Sequence, residues 1–336
     1  MHTPTSNSQS SIVIGGTIAI DHVKTPHAEA SNLLGGSAAY AALAASFFNP
    51  NIDLIGIIGH DFPAAHLELL EQRGISLAGV ERSAHESFTW SGEYHLNMNE
   101  RTTHRVGLNV LENWQVKVPA TSAAAASIIV LANMSPDNQL QMLAECGIGP
   151  ANRTSPSPRF VIADTMDLWI EIATAKLHQV LPHLDLFVLN DGEARELAGT
   201  SNLVQAGRIL LAKGPRNVVI KLGEFGAMLF TAEDSSASAI TSSSLPSSEL
   251  FRCSAYPLEA VADPTGAGDS FLGAMAGFLA SQGPAPYSTP IMRQAVIQAS
   301  ILASFTCEAF STRRLETLTH DDLAARLEEF RAVTVW

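Results

Sequence analysis

The sequence predicts an α/β fold of three layers, α/β/α, with a mostly parallel central sheet and a small β-ribbon beside it. Three features of the chain point to it. Short apolar, β-rich runs alternate with helical segments, and one stretch of period-two alternation breaks that rhythm. A glycine-rich turn late in the chain then opens a long apolar helix.

The apolar runs fall at residues 12–14, 54–58, 128–131, 160–163, 186–189 and 218–221. Continuous apolar strands belong in a sheet covered by helices on both faces. Alternation of β and α segments makes such a sheet mostly parallel. Polar residues stand where these runs end: Asn133, Asp164, Asn190, and Lys221 with Gly223. Open α/β sheets bind ligands at the carboxyl ends of their strands, so these positions outline one cleft.

The break in rhythm comes at Phe88, Trp90, Tyr94 and Leu96, which alternate with Ser87, Thr89, Ser91, Glu93 and His95. Polar residues 97–105 follow, then a second extended piece at 106–111. This pattern predicts a two-stranded antiparallel ribbon with one apolar face, joined by residues 21–34. An isolated ribbon is marginal in water, so its apolar face is expected to pack on the cleft, its substrate or another subunit. The Ser-rich stretch 234–248, between two predicted strands, and residues 149–158 read as surface loops.

Composition narrows the class. The 336 residues suit one large α/β domain or two smaller ones, and the hydrophobic share of 46% with 16% charged residues is that of a globular chain. A net charge of −13 disfavours nucleic acid or an anionic membrane as partner. Cys146, Cys253 and Cys307 are far apart and form no CxxC pair, as expected of three buried thiols in a reducing cytoplasm. No signal pattern opens the chain, and no apolar run nears the roughly 18 residues of a membrane span. A cytoplasmic location is therefore expected.

The chemistry concentrates in Asp263-Pro264-Thr265-Gly266-Ala267-Gly268-Asp269-Ser270-Phe271. Leu272, Met275, Ala276 and Leu279 recur at helical spacing behind it, so a helix begins at this turn. Small residues let the amides close around an anion, and the helix dipole adds partial positive charge. Asp269 then stands beside that anion, able to take a proton from a hydroxyl. The dipole should keep this carboxyl ionised at neutral pH. A glycine turn with an Asp cap is the bland alternative.

Other groupings stand at predicted strand or helix ends. The first strand runs into Gly15-Gly16-Thr17 and then Asp21, which can accept hydrogen bonds from hydroxyls. Gly35-Gly36 opens a helix and admits close backbone approach, by a ligand or simply by the sheet. Asn190-Asp191-Gly192-Glu193 offers oxygen ligands suited to Mg²⁺, although the same spacing describes a capping box. Lys221-Leu222-Gly223-Glu224-Phe225-Gly226 reads alone as a hairpin turn. Arg101 on the ribbon could clamp a polar substrate, although a solvated charge is the better reading.

The run 263–271 resembles the C-terminal signature of the ribokinase/PfkB family of carbohydrate and nucleoside kinases, with nine consecutive positions fitting. The other motifs follow in family order from about residue 12 to 330. The resemblance implies one ribokinase-like kinase domain at 11–336, a polar tail at 1–10, and lid elements near 18–34 and 86–111. It implies ATP- and Mg²⁺-dependent phosphorylation of a hydroxyl on a small sugar or nucleoside. Asp269 would be the base, and the amides around Gly266, Ala267 and Gly268 the anion hole. Asp21, Gly35 and Gly36 would hold the acceptor beside Tyr40, with Asp164 facing acceptor or metal. Asn190 and Glu193 would organise Mg²⁺ and phosphate. Lys221, Gly223 and Gly226 would lie beside the nucleotide, with a helix at 299–310 as the adenine wall. Asp263 and Thr265 match positions that hold a monovalent cation such as K⁺ in part of the family, and the lid is often a homodimer contact.

Two departures bear on specificity: the family usually has Asn at the positions of Ala19 and Tyr40. Ordinary ribose or fructose specificity is therefore in doubt, and a nucleoside, an inositol-like ring or a modified sugar is the expectation. A non-catalytic sensor on the same fold and a dinucleotide-dependent oxidoreductase are the rival readings. The first strand lacks GxGxxG, against the oxidoreductase, and a sensor has no need of Asp269.

Overall fold

The apolar runs form the central strands. In the computed structural model, which describes residues 10–149, 159–232 and 248–334, the strands are β1 (Ser11–Gly15), β2 (Ala19–Lys24), β3 (Glu29–Gly35), β4 (Ile52–Ile58), β5 (Ile75–Arg82), β6 (Phe88–Tyr94), β7 (Arg101–Gly107), β8 (Ala126–Leu131), β9 (Phe160–Asp164), β10 (Leu186–Asn190), β11 (Asn217–Lys221), β12 (Ala227–Ala232) and β13 (Ser248–Cys253). The expected polar tail, except Ser10, and nearly all of the loops at 149–158 and 234–248 lie outside the described residues.

Nine strands form one sheet in the order β13-β12-β11-β10-β9-β8-β1-β4-β5. Pairing is parallel from β11 through β5 and antiparallel between β11, β12 and β13. The order reverses at β1, where the chain leaves toward β4 on one side and returns as β8 on the other. A crevice at the carboxyl ends of the strands is the consequence of that reversal. Of the strands, β5 escaped the apolar pattern because it is an edge strand with many half-exposed positions.

Side-chain alternation splits the core into two layers. Ile12, Ile14, Ile128 and Val130 face one layer, with helices Ser37–Ala45, Ala267–Ser281 and Thr289–Thr306. Val13, Ile129 and Leu131 face the other, with helices Pro136–Glu145, Asp191–Ala198 and Leu203–Ala212. Every residue of Ser37–Ala45 is buried, and this alanine-rich helix packs on Ala267–Ser281. The approach is close enough that a Cβ on Gly273 would stand 2.0 Å from the carbonyl oxygen of Ala41. Gly273→Val is therefore expected to destabilise the fold by roughly 1–3 kcal/mol or more through overpacking. An unchanged urea midpoint would show that these helices are free to separate.

The ribbon is larger than its hydrophobic pattern suggests. It is a four-stranded sheet, β3-β2-β6-β7, with β2 and β6 parallel and the other pairs antiparallel. Its last strand is β7, not 106–111, and Asn109–Leu111 form a single 3-10 turn. The sequence of β7 is polar and its residues are exposed, so its extended form comes from main-chain pairing to β6. No helix among the described residues is long and apolar enough to cross a membrane.

Candidate active site

The turn at 263–269 is built from its buried acid outward. Asp263 is fully buried; its Oδ1 accepts the Thr265 N–H at 2.9 Å and its Oδ2 the Ser311 N–H at 3.0 Å. Both carboxylate oxygens are thus engaged in tying the turn to the chain beyond helix Thr289–Thr306. Gly266 follows with φ +77°, a left-handed conformation that suits glycine, and a Cβ there would meet the Tyr40 ring at 2.3 Å. Helix Ala267–Ser281 then starts. The Ala267 N–H donates to Pro264 O at 3.2 Å, and Ser270 N–H donates to Gly266 O at 2.8 Å. Among the described residues the Gly268 amide finds no acceptor and the Asp269 amide only its own carboxylate, while Ala267 drops out of the expected set of donors. The reason is local: the turn consumes the Ala267 amide to close itself.

Asp269 is half-buried at the cleft floor. Burial raises its carboxyl above the ordinary range, against the pull of the Lys221 ammonium and the Arg101 guanidinium. The helix dipole therefore does not decide the direction, contrary to the sequence expectation, because desolvation outweighs it. A Cβ on Gly268 would lie 2.7 Å from Lys221 Nζ, so this ammonium sits against the turn.

On one side of the cleft, Asp21 of β2 is buried with its carboxyl laid against Gly35, where a Cβ would stand 2.1 Å away. Its Oδ1 has no hydrogen-bond partner. Burial, and then the negative charges of Asp269 and Asp263, push its pKa up to about 8. The Tyr40 hydroxyl and Asp164 Oδ1 are likewise buried without partners. Burial also raises the Asp164 carboxyl well above its ordinary range, with Asp269 adding to it. Orphaned groups of this kind are costly in a closed interior and normal where a ligand supplies the missing bonds.

On the opposite side, Asn190 and Glu193 form the capping box. Asn190 Oδ1 accepts the Glu193 N–H and Glu193 Oε2 accepts the Asn190 N–H, both at 2.8 Å. Lys221 stands beside Asn190 in the parallel β10–β11 register. One 3-10 turn, Gly223–Phe225, leads from there to Gly226.

All of these surround one cleft of about 1380 Å³. Its lining includes Asp21, Gly36, Tyr40, Asp164, Asn190 and Glu193, then Lys221, Gly223, Gly226 and the turn from Pro264 to Asp269. Two of the residues expected in the site do not line it: Gly35 lies under the Asp21 carboxyl, and Asp263 is buried beneath the turn. Cys307, expected to be buried, is partly exposed and lines the cleft with Ser300, Ala303 and Ser304. Residues 255–261 also form a wall. Sequence reading missed them because irregular backbone carries no periodicity. No cluster of three His, Cys, Asp or Glu side chains able to hold a metal occurs among the described residues.

A crevice at a reversing parallel sheet, a glycine turn on a helix start and a small second sheet beside it define a ribokinase-like architecture. The chain belongs to the pfkB family of carbohydrate kinases, which matches residues 9–318. It is 24% identical over 270 residues to a cytidine kinase of Thermococcus kodakarensis, covering 80% of this chain and 87% of that one. Its fold is similar to ribokinase from Giardia lamblia, with TM-score 0.74, 18% identity and coverage of 96% and 100%. A nucleoside kinase of Burkholderia thailandensis in complex with inosine gives TM-score 0.70, 17% identity and coverage of 96% and 99%.

Proposed function

We propose that this chain transfers the γ-phosphoryl group of ATP to a hydroxyl of a nucleoside. The observation that carries the choice of acceptor is the wall next to Asp21. Trp90 of the lid stands opposite Asp21 in the β2–β6 register, and Phe88, Leu111, Met166 and Trp169 line the same cleft. A plain sugar offers little to so much aromatic and thioether surface, whereas a nucleobase stacks on it. The similarity to a cytidine kinase and to an inosine-bound nucleoside kinase supports the same reading.

The residues divide the chemistry as follows. Asp21 accepts hydrogen bonds from the sugar hydroxyls and orients the ring, and Asp269 takes the proton of the attacking hydroxyl. The amides of Gly268 and Asp269, with Lys221 beside them, stabilise charge on the transferring group. Glu193 has one carboxylate oxygen outside the capping box, so it fits a hydrated Mg²⁺ better than a full protein cage would. Bound there, Mg²⁺ would neutralise phosphate oxygens. Aromatic side chains of the lid exclude water, which competes as an acceptor.

A panel of nucleosides, pentoses, hexoses and inositols, each with a non-hydrolysable ATP analogue, tests the assignment by thermal shift, followed by phosphoryl-transfer assays. A nucleoside is expected to raise Tm by mass action and to be phosphorylated. Transfer to plain sugars alone would overturn the acceptor assignment. Absence of transfer to every acceptor would overturn the kinase reading.

A further inference from the structure

Among the described residues, Lys221 and Arg101 are the only lysine or arginine side chains that line the cleft. Carboxylates surround them there: Asp21, Asp164, Glu193 and Asp269. Beyond a Mg²⁺ held at Glu193, an anion that reacts in this place has those two cations and the amides of the turn for compensating charge. Lys221 belongs to the rigid central sheet. Arg101 comes from the lid.

The lid holds Arg101 in a defined place. It opens β7 and pairs across the ladder with Tyr94, the last residue of β6. Tyr94 is buried beside Thr265 of the anion turn. The connection between the strands is an ordered turn. Asn97 Oδ1 accepts the N–H groups of Asn99 and Glu100, and the His95 N–H donates to Glu100 O at 2.9 Å. Asn99 reaches the nucleotide-side loop, its Oδ1 lying 3.1 Å from where a Cβ of Gly223 would be. The end of the hairpin therefore bridges the anion turn and the Gly223 loop, with Arg101 between them. Its guanidinium makes no hydrogen bond or ion pair among the described residues. It lines the cleft together with Asp269 and Glu193, and its charge partly offsets the rise that burial gives both carboxyls.

We propose that Arg101 is a catalytic residue that the lid delivers to the transferring phosphoryl group, opposite Lys221. This rests on the kinase reading above. As the acceptor oxygen bonds to phosphorus, the bond to the ADP oxygen breaks and the hydroxyl proton passes to Asp269. Arg101 stays protonated throughout. Its planar fork matches two equatorial phosphoryl oxygens, which a lysine cannot do. The same lid carries Phe88 and Trp90 in the acceptor chamber. An acceptor that settles the lid thus also settles Arg101, so the cation is in place when the alcohol is, and ATP alone is poorly hydrolysed.

Arg101→Ala and Arg101→Lys test this in the full chain, with circular dichroism and Tm checking the fold. Loss of kcat by about 10²–10³-fold is expected for the alanine variant, with the KM for ATP nearly unchanged. Added guanidinium ion should restore part of that kcat in Arg101→Ala and none in Asp269→Asn. A second readout needs no acceptor: fluoroaluminate should raise the Tm of the ADP-bound wild type and have little effect on ADP-bound Arg101→Ala. Undiminished kcat, a loss that guanidinium does not relieve, or equal fluoroaluminate shifts would each overturn the assignment of Arg101. Failure of the wild type to phosphorylate any acceptor would instead remove the kinase reading on which it rests.

Discussion

Asp269→Asn is expected to lower kcat by about 10²–10⁴-fold while leaving ATP affinity nearly intact. The change keeps the shape of the side chain at the start of helix Ala267–Ser281 and removes only its capacity to take a proton. Because burial raises this carboxyl in the folded protein, wild-type activity should fall as pH drops through that raised value. The asparagine variant should lack this limb of the profile. Stability should move the opposite way. A carboxyl whose folded pKa lies above its unfolded one binds more protons when folded, so it costs stability as pH rises through that window. Asp269→Asn is thus expected to melt no lower than wild type at neutral pH. Retained activity in Asp269→Asn, measured as phosphoryl transfer, would remove Asp269 from the mechanism.

The second large effect concerns Asp21. Its pKa of about 8, set by burial and by the charges of Asp269 and Asp263, leaves it mostly protonated at neutral pH in the absence of ligand. Hydroxyls that donate to the carboxylate favour its ionised form. Acceptor KM should therefore fall as pH rises toward 8, by up to roughly tenfold per unit, and level off above it. Asp21→Asn should raise acceptor KM by about 10–100-fold, the range for losing a hydrogen bond to a charged group, and flatten this dependence. Without ligand, the folded state binds the extra proton, so wild-type stability should decline as pH rises from about 4 to 8. The asparagine variant should decline less. Parallel pH profiles of KM and of urea midpoint in the two proteins would sink this account.

The central strands were legible because each is a run of apolar residues long enough to be buried on both faces. Leu186–Asn190 and Asn217–Lys221 were found nearly whole on that ground. The glycine turn was legible because Gly266 and Gly268 sit at a helix start, where small residues and exposed amides go together. The capping box at Asn190 and Glu193 could be read either way, and the geometry is that of a cap with one oxygen to spare. The strand β7 was not legible, since RTTHRVG has no apolar face and takes its form from pairing with β6. The wall at 255–261 and the exposure of Cys307 were not legible either, since neither depends on periodicity.

By itself, then, the order of apolar runs, turns and motif residues determined the layered sheet, the family and the place of the glycine turn, because these follow from local spacing. Only the tertiary structure decided the protonation tendencies of Asp21 and Asp269, the loss of the Ala267 amide to Pro264, and the meeting of Arg101 with the site. Those outcomes depend on burial and on charges brought together from positions as far apart in the chain as Asp21 and Asp269. Desolvation and Coulomb energy act through space, and spacing along the chain does not encode that distance.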